Sequence, residues 1–295
     1  MTRSGILLID KPEGPSSAHI VHRVKACLGA KKVGHLGTLD PFASGLLLLG
    51  IGEGTKIADI FLTASKRYRG VMVLGVATDS QDATGKVIET RPLPVLNAER
   101  LREIAQEFTG RLQQIPPMFS ALKKDGVRLY RLARQGQEVA RAPRAVRVES
   151  LSLNQLSASE IELEVTCSSG TYVRTLAADM GAALRCGAHL KSLRRLACGQ
   201  LSIDQATTLE AFERDRSLSA GAFLSLTAAL SHLPSVTWEH RWIARLRIGQ
   251  QEVLGQLGKP MPGENLLRIL DTRRNLAALA AWGDAGWRLV RVFSE

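Results

Sequence analysis

Residues 34–45 read Gly34-His35-Leu36-Gly37-Thr38-Leu39-Asp40-Pro41-Phe42-Ala43-Ser44-Gly45 and run straight into Leu46-Leu47-Leu48-Leu49. The stretch holds one acid, Asp40, one histidine, His35, and three glycines. Pro41 fixes its own φ and steers the residue before it away from the helical region, so the Asp40 carboxylate sits on a stiff turn. Gly34, Gly37 and Gly45 permit tight bends or the close approach of another backbone. The four leucines read as a buried strand that braces the loop from one side. Two readings are open at this point: an active-site loop built around a carboxylate, or an ordinary Asp-Pro turn in which Asp40 caps backbone amides.

At 295 residues and 45% hydrophobic, the chain can bury a substantial core and is long enough for one large domain and a small one. Its formal net charge of +11 points towards a polyanionic partner, with a membrane surface or plain solubility as competing explanations. The excess is uneven: residues 120–150 carry eight Lys/Arg against three acids, and 241–295 carry nine against five. No apolar run approaches the roughly 20 residues needed to span a bilayer, and the N-terminus lacks a cleavable signal pattern, so a cytoplasmic location is expected. Cys27, Cys167, Cys186 and Cys198 are scattered without a Cys-x-x-Cys pair or a histidine at zinc spacing. Neither disulfides nor a metal is expected.

Outward from the central loop, residues 6–9 read as a buried strand, and Ser16 or Ser17 caps a helix with Ile20, Val21, Val24 and Leu28 on one face, closed by Gly29. Gly50-Ile51-Gly52-Glu53-Gly54-Thr55-Lys56 leads into a further helix. It fits neither nucleotide fingerprint: the Rossmann pattern needs its third glycine one position later, and the Walker pattern needs Gly-Lys-Ser/Thr. Residues 67–78 alternate as a strand, and Gly85 turns the chain towards Val87. Asn97 opens a helix closed by Gly110. Residues 127–136 return to helical spacing, with Arg128, Arg131 and Arg134 three apart as a basic ridge or a merely solvated face. Residues 146–156 and 160–167 form a β pair, Thr171 starts a helix with Tyr172 and Arg174 in its first turn, and 190–201 returns to the sheet. Thr207 with Glu210 suggests a capping box. From Ser235 onwards, short apolar runs between Gly and Pro turns read as a small β-rich domain.

Three motifs in one order carry a family resemblance: Asp10-Lys11-Pro12-Glu13-Gly14-Pro15-Ser16-Ser17, then Gly34-His35-Leu36-Gly37-Thr38-Leu39-Asp40-Pro41, then Lys66-Arg67-Tyr68-Arg69-Gly70. Pro116-Pro117-Met118-Phe119-Ser120-Ala121-Leu122-Lys123, Ser169-Gly170-Thr171-Tyr172-Val173-Arg174-Thr175 and Leu193-Arg194-Arg195-Leu196 extend it. In these the chain resembles the TruB family of bacterial pseudouridine synthases, which modify the T loop of transfer RNA. Phe119 stands where many relatives have Tyr.

The resemblance implies an α+β fold: a mixed, mostly antiparallel sheet flanked by helices in residues 1–234, and a PUA-like RNA-binding domain in 235–295. Within the first domain it implies an RNA-binding thumb at about 116–147. It implies isomerisation of a tRNA uridine, expected at position 55, with no cofactor, by a monomer without protein partners. Asp40 would be the essential carboxylate, Arg174 its partner, and Tyr68 would lie against the uracil face. Tyr172 and Leu193 would pack along the pocket, His35 would fill the gap left by the flipped base, and Lys11 and Lys56 would line the pocket or touch phosphate. Arg128, Arg131 and Arg134 would grip RNA. Both tyrosines also read as ordinary core residues with a bonded hydroxyl. A non-catalytic RNA-binding protein on the same fold, or a nucleotide-dependent oxidoreductase using residues 50–54, are the alternatives from other classes.

Overall fold

The computed structural model describes residues 3–215 and 221–294. The first part of the chain runs β1 (Gly5–Lys11), α1 (Ser17–Leu28), β2 (Val33–His35), β3 (Ser44–Ile51), a 3-10 turn (Gly52–Ile57), α2 (Ala58–Thr63), β4 (Lys66–Leu74), β5 (Val76–Thr78) and β6 (Val87–Thr90). It continues α3 (Ala98–Glu107), β7 (Gly110–Gln114), β8 (Lys123–Lys124), β9 (Val127–Arg128), α4 (Leu129–Arg134), β10 (Arg144–Gln155), β11 (Glu160–Cys167), α5 (Val173–Ala183) and β12 (Ala188–Cys198). Shorter pieces follow: β13 (Leu201–Ser202), β14 (Thr207–Thr208), α6 (Leu209–Asp215), β15 (Phe223–Leu224) and α7 (Leu226–Ala229). The C-terminal part holds β16 (Ser235–Thr237), α8 (His240–Arg247), β17 (Leu266–Leu270), β18 (Leu276–Gly283) and β19 (Gly286–Val292).

The main sheet is ordered β14-β1-β3-β12-β4-β11-β10-β7. Its pairs are antiparallel except β14 on β1 and β12 on β3, which gives the mixed, mostly antiparallel α+β architecture. β1 and β3 are buried on both faces, so they read as unbroken apolar runs instead of alternating ones. Leu7, Ile9, Leu47 and Leu49 enter the core under α1, α5 and α6. Ile6, Leu8, Leu46 and Leu48 enter a second core that includes Leu270, Leu276 and Leu279 of the C-terminal sheet and Phe293 just past its last strand. That sheet, ordered β16-β17-β18-β19, also has a core of its own around Trp238, Ile243, Leu246 and Ile269. The C-terminal unit expected from Ser235 onwards is therefore welded to the main sheet by shared apolar surface.

Local chemistry sets most boundaries. Ser16 caps α1 by accepting from His19 N, and Gly29 ends it with φ of 56°. Four expectations shift. The strand expected over 67–78 breaks at Gly75, whose φ of 85° turns the chain out of the main sheet, and Val76–Thr78 pairs instead with β6. The helix expected to end at Gly110 stops at Phe108, and Gly110 opens β7. The helix expected over 127–136 is shorter, because Gly126 and Gly136 both take positive φ and Arg128 is extended; Arg128 thus lies in β9 rather than on a helical ridge. Thr207 pairs with Ile9, so Thr208 is the residue that caps α6, accepting from Ala211 N.

Gly45 lies where three strands meet, opposite Lys11 on β1 and Arg195 on β12. A Cβ there would sit 2.4 Å from the Arg195 carbonyl oxygen and 2.7 Å from its nitrogen, and the residue's φ is 101°. Gly14 also takes a φ of 103°, but has open space around it. Gly45→Ala is therefore expected to cost at least about 2 kcal/mol in urea unfolding, and Gly14→Ala only about 1 kcal/mol from backbone strain. Equal costs would show that the approach of β12 is not tight.

Candidate active site

The loop 37–41 is fixed by side chains reaching in from other elements. The Ser17 hydroxyl accepts from Leu39 N at 2.8 Å and donates to Leu39 O at 2.9 Å. Arg195 donates from Nε to Leu46 O at 2.7 Å, from Nη1 to Thr38 O at 3.2 Å and from Nη2 to Gly37 O at 3.1 Å. Lys11 donates from Nζ to Pro12 O, Pro15 O and Pro41 O at 2.7, 3.0 and 3.3 Å. With the carbonyls of residues 37, 38, 39 and 41 held in this way, the turn at Asp40 has one orientation. Its side chain keeps 39% of its surface accessible where it faces the pocket, while the carboxyl is otherwise packed round by protein atoms.

Asp40 Oδ2 lies 2.9 Å from Nη2 of Arg174, which stands in the first turn of α5 and is almost wholly buried. The same guanidinium reaches Asp82 Oδ2 at 3.3 Å and donates to Ser80 O and Phe119 O, each at 2.9 Å. Asp82 is held in turn: its Oδ1 accepts from the Ser80 hydroxyl, Thr84 N and the Thr84 hydroxyl. A rigid fork of donors suits this task, because a buried cation must find a partner for each N–H. Burial raises the Asp40 carboxyl above its ordinary range; Arg174 and, more weakly, Lys11 oppose that rise, and the Asp82 carboxylate adds to it.

A pocket of about 370 Å³ opens over this pair, walled by Asp40, Tyr68, Tyr172, Arg174, Leu193 and Arg195. Its volume falls in the range of sites that hold a small molecule. Tyr68 lies on β4 directly opposite Arg195, and burial raises its phenol despite that cation, so the ring stays neutral. Burial likewise raises the Tyr172 phenol, partly offset by the neighbouring Ser120 side chain. The Tyr172 backbone is clamped by Gln114, whose Oε1 accepts from Tyr172 N at 2.8 Å and whose Nε2 donates to Tyr172 O at 3.1 Å. A larger groove of about 770 Å³ lies between α3 and β10, but no carboxylate lines it.

Asp40, Tyr68, Tyr172, Arg174 and Leu193 are thus brought together. Lys11 and Lys56 do not line this pocket. Lys11 is sealed from solvent with its ammonium spent on three carbonyls, and burial lowers its pKa to about 8, so it ties two loops together and cannot reach a phosphate. Lys56 pairs with Glu53 at 2.8 Å, donates to Val292 O at 3.0 Å and sits over the Phe293 ring, stitching the 3-10 turn to the end of the C-terminal sheet. His35 is half-buried on β2 with Nδ1 enclosed and unpartnered; burial and the nearby Arg195 lower its pKa. Arg128 on β9 and Arg131 and Arg134 on α4 are exposed and lie outside the pocket wall.

Asp82, Arg195, Ser17 and Gln114 were not picked out from the sequence as site residues. Arg195 belongs to the Leu193–Leu196 motif, but β12 has bulges between Leu190 and Ser192 and between Arg195 and Ala197, so alternation could not say which of Arg194 and Arg195 points inward. Phe119 contributes a carbonyl to Arg174, and that bond is indifferent to whether the side chain is Phe or Tyr.

Residues 25–173 match the family described as TruB family pseudouridylate synthase (N terminal domain), and 174–225 match the tRNA pseudouridylate synthase B C-terminal domain. The chain is 41% identical to tRNA pseudouridine synthase B of Geobacter sulfurreducens over 98% of this chain and 99% of that one. It is 40% identical to the protein of that name from Azoarcus sp. over 98% of this chain and 95% of that one. Among solved structures, it superposes on a chain of a Cbf5-Nop10-Gar1 complex with a TM-score of 0.70 and 26% identity, covering 94% of this chain and 78% of that chain. With two family matches meeting between Val173 and Arg174, and relatives that align over nearly their whole length, the chain belongs to the TruB family of pseudouridylate synthases, enzymes that isomerise uridine to pseudouridine.

Proposed function

We propose that this enzyme modifies uridine 55 in the T arm of tRNA, with Asp40 as its essential carboxylate. The observation that carries the reading is the 2.9 Å ion pair between a pocket-facing Asp40 and a buried Arg174. Pseudouridine formation cleaves the bond from C1′ to N1, turns the uracil and joins C5 to C1′, releasing the C5 proton. An ionised carboxylate can trap or stabilise the electron-poor carbon this creates. Burial makes Asp40 more basic and hence a better nucleophile, while Arg174 keeps it charged and aimed. A protein that only bound RNA would have no use for this pair at the floor of a nucleoside-sized pocket.

Reaching a base in a folded loop requires flipping it out, at a cost of a few kcal/mol. In this reading Tyr68 packs on the uracil, Tyr172 and Leu193 line its path, and His35 fills the gap left behind. Residues 1–234 form the catalytic domain, the thumb at 116–147 closes on the RNA, and 235–295 is a PUA-like RNA-binding domain. No helix among the described residues is long and apolar enough to cross a membrane. The reading places the enzyme in the cytoplasm, with its tRNA, as a monomer.

Asp40→Asn keeps the size and the turn but removes the charge. Its folding and tRNA affinity should change little, while release of tritium from C5-labelled uridine should fall by at least about 10³-fold with enzyme in excess. Substantial release by a folded, binding-competent variant would remove Asp40 from this role.

The pH profile gives a second check. Because burial raises the Asp40 carboxyl, its ionised form is lost at a higher pH than for a free carboxylate as the solution is acidified. The acid limb of the single-turnover rate should therefore lie above the ordinary value of about 4. A limb at or below that value would contradict the assignment.

The thumb reading is tested by replacing Arg128, Arg131 and Arg134 together with Gln. Binding of tRNA should weaken, and the slope of log affinity against log salt should flatten by about 0.7 to 0.9 for each phosphate that is no longer neutralised. Weaker binding with an unchanged slope would assign the arginines to packing; no change at all would make them a solvated face.

A further inference from the structure

The three thumb arginines are spaced at i, i+3 and i+6, but in the folded protein they are organised by a residue that this spacing passes over. Tyr130 lies in the first turn of α4, and the Arg134 guanidinium sits 5.7 Å from its ring centroid, the i+4 geometry of a cation over an aromatic face. The neighbouring Arg131 and, more weakly, Arg128 lower the phenol's pKa. Opposite Arg128, on the paired strand, stands Lys123, and like charges directly across a ribbon repel. Glu138, the acid within the thumb's second half, is occupied by Arg141 at 3.0 Å. Arg134 is therefore seated on the Tyr130 ring between Arg128 and Arg131 of the same segment, with Lys123 facing Arg128, and no carboxylate bridges to any of the three arginines among the described residues. Such a cluster is stable only in water or against an anion.

The cluster is also tied to the pocket. Tyr130 N donates to Ser120 O at 3.1 Å, and Leu129 N donates to Leu122 O at 2.8 Å. Ser120 is a wall of the pocket, and its neighbour Phe119 gives its carbonyl to Arg174. Backbone bonding thus joins the cations directly to the groups that face the flipped base.

We propose that Tyr130 is a positioning residue for the RNA backbone: its ring seats Arg134 so that it meets phosphate together with Arg128 and Arg131, and its peptide N–H ties this basic segment to the wall of the uracil pocket. This rests on the reading of the thumb as an RNA clamp. Since the tie to Ser120 is a backbone bond, it survives changes of the side chain, so the consequences separate. Loss of the ring frees Arg134 from its seat and weakens binding, while chemistry on bound RNA continues.

The test compares Tyr130→Leu and Tyr130→Phe with the Arg128, Arg131 and Arg134 triple variant, using full-length protein and tRNA labelled at C5. Tyr130→Leu should raise KM about three- to tenfold and flatten the salt slope, with single-turnover rate at saturating enzyme within about twofold of wild type. Tyr130→Phe keeps the stack under Arg134 and should raise KM about two- to threefold; it also decides the matter if the Leu variant does not fold. A KM unchanged in both variants, or raised with an unchanged salt slope, overturns the proposal, as does a fall in the saturated rate that matches the rise in KM. If the triple variant weakens binding while the Tyr130 variants do not, only this inference fails. If the triple variant binds like wild type, the clamp reading fails with it.

Discussion

A buried guanidinium cannot be left unpaired, and this constraint governs how the site is assembled. Taking Arg174 out of water costs several kcal/mol unless its donors are met. They are met by groups from three separate stretches: Asp40 from the loop before β3, Ser80 and Asp82 from the hairpin beyond Gly75, and Phe119 from the segment before β8. Each of those stretches is irregular backbone, and the cation at the start of α5 fixes how they converge. The carboxylate that faces the pocket is thus part of a network whose other members are hidden.

The same logic recurs one layer down. Arg195 and Lys11 are buried cations that spend their donors on carbonyls of the Asp40 loop, so the loop is held by charge-assisted bonds rather than by regular secondary structure. Lys66 repeats the device on α2, donating to Phe61 O, Leu62 O and Ala64 O. In a strongly basic chain, several of the cations that would be assigned to RNA from charge alone are internal braces. The cations left at the surface include Arg128, Arg131 and Arg134.

The sheet beneath is rigid for a different reason. β1 and β3 are covered on one face by helices and on the other by the C-terminal sheet, which places the Asp40 loop at the end of strands that have no solvent-exposed face. Bonds from Lys56, Glu53 and Asp59 to residues 291–294 add polar stitching along the same seam. The C-terminal unit therefore supports the catalytic sheet as well as extending the molecule.

Much of this was legible in the sequence, because it depends on neighbours along the chain. The leucine run, the Ser16 cap and Gly29 stop of α1, the β10–β11 pair and the stiff Asp-Pro turn are local chemistry, and motif order marked Asp40, Tyr68 and Arg174 as one set. What tertiary structure alone decided is where long side chains end. Lys11 and Lys56 carry the same charge as Arg131, yet one is spent on three carbonyls and the other on a strand end 236 residues away. Asp82 reaches Arg174 across 92 positions because Gly75 turns its hairpin out of the sheet, and Arg195 faces inward because bulges shift the parity of β12. A flexible, charged side chain takes its partner from packing at long range, and nothing in its local sequence encodes that choice.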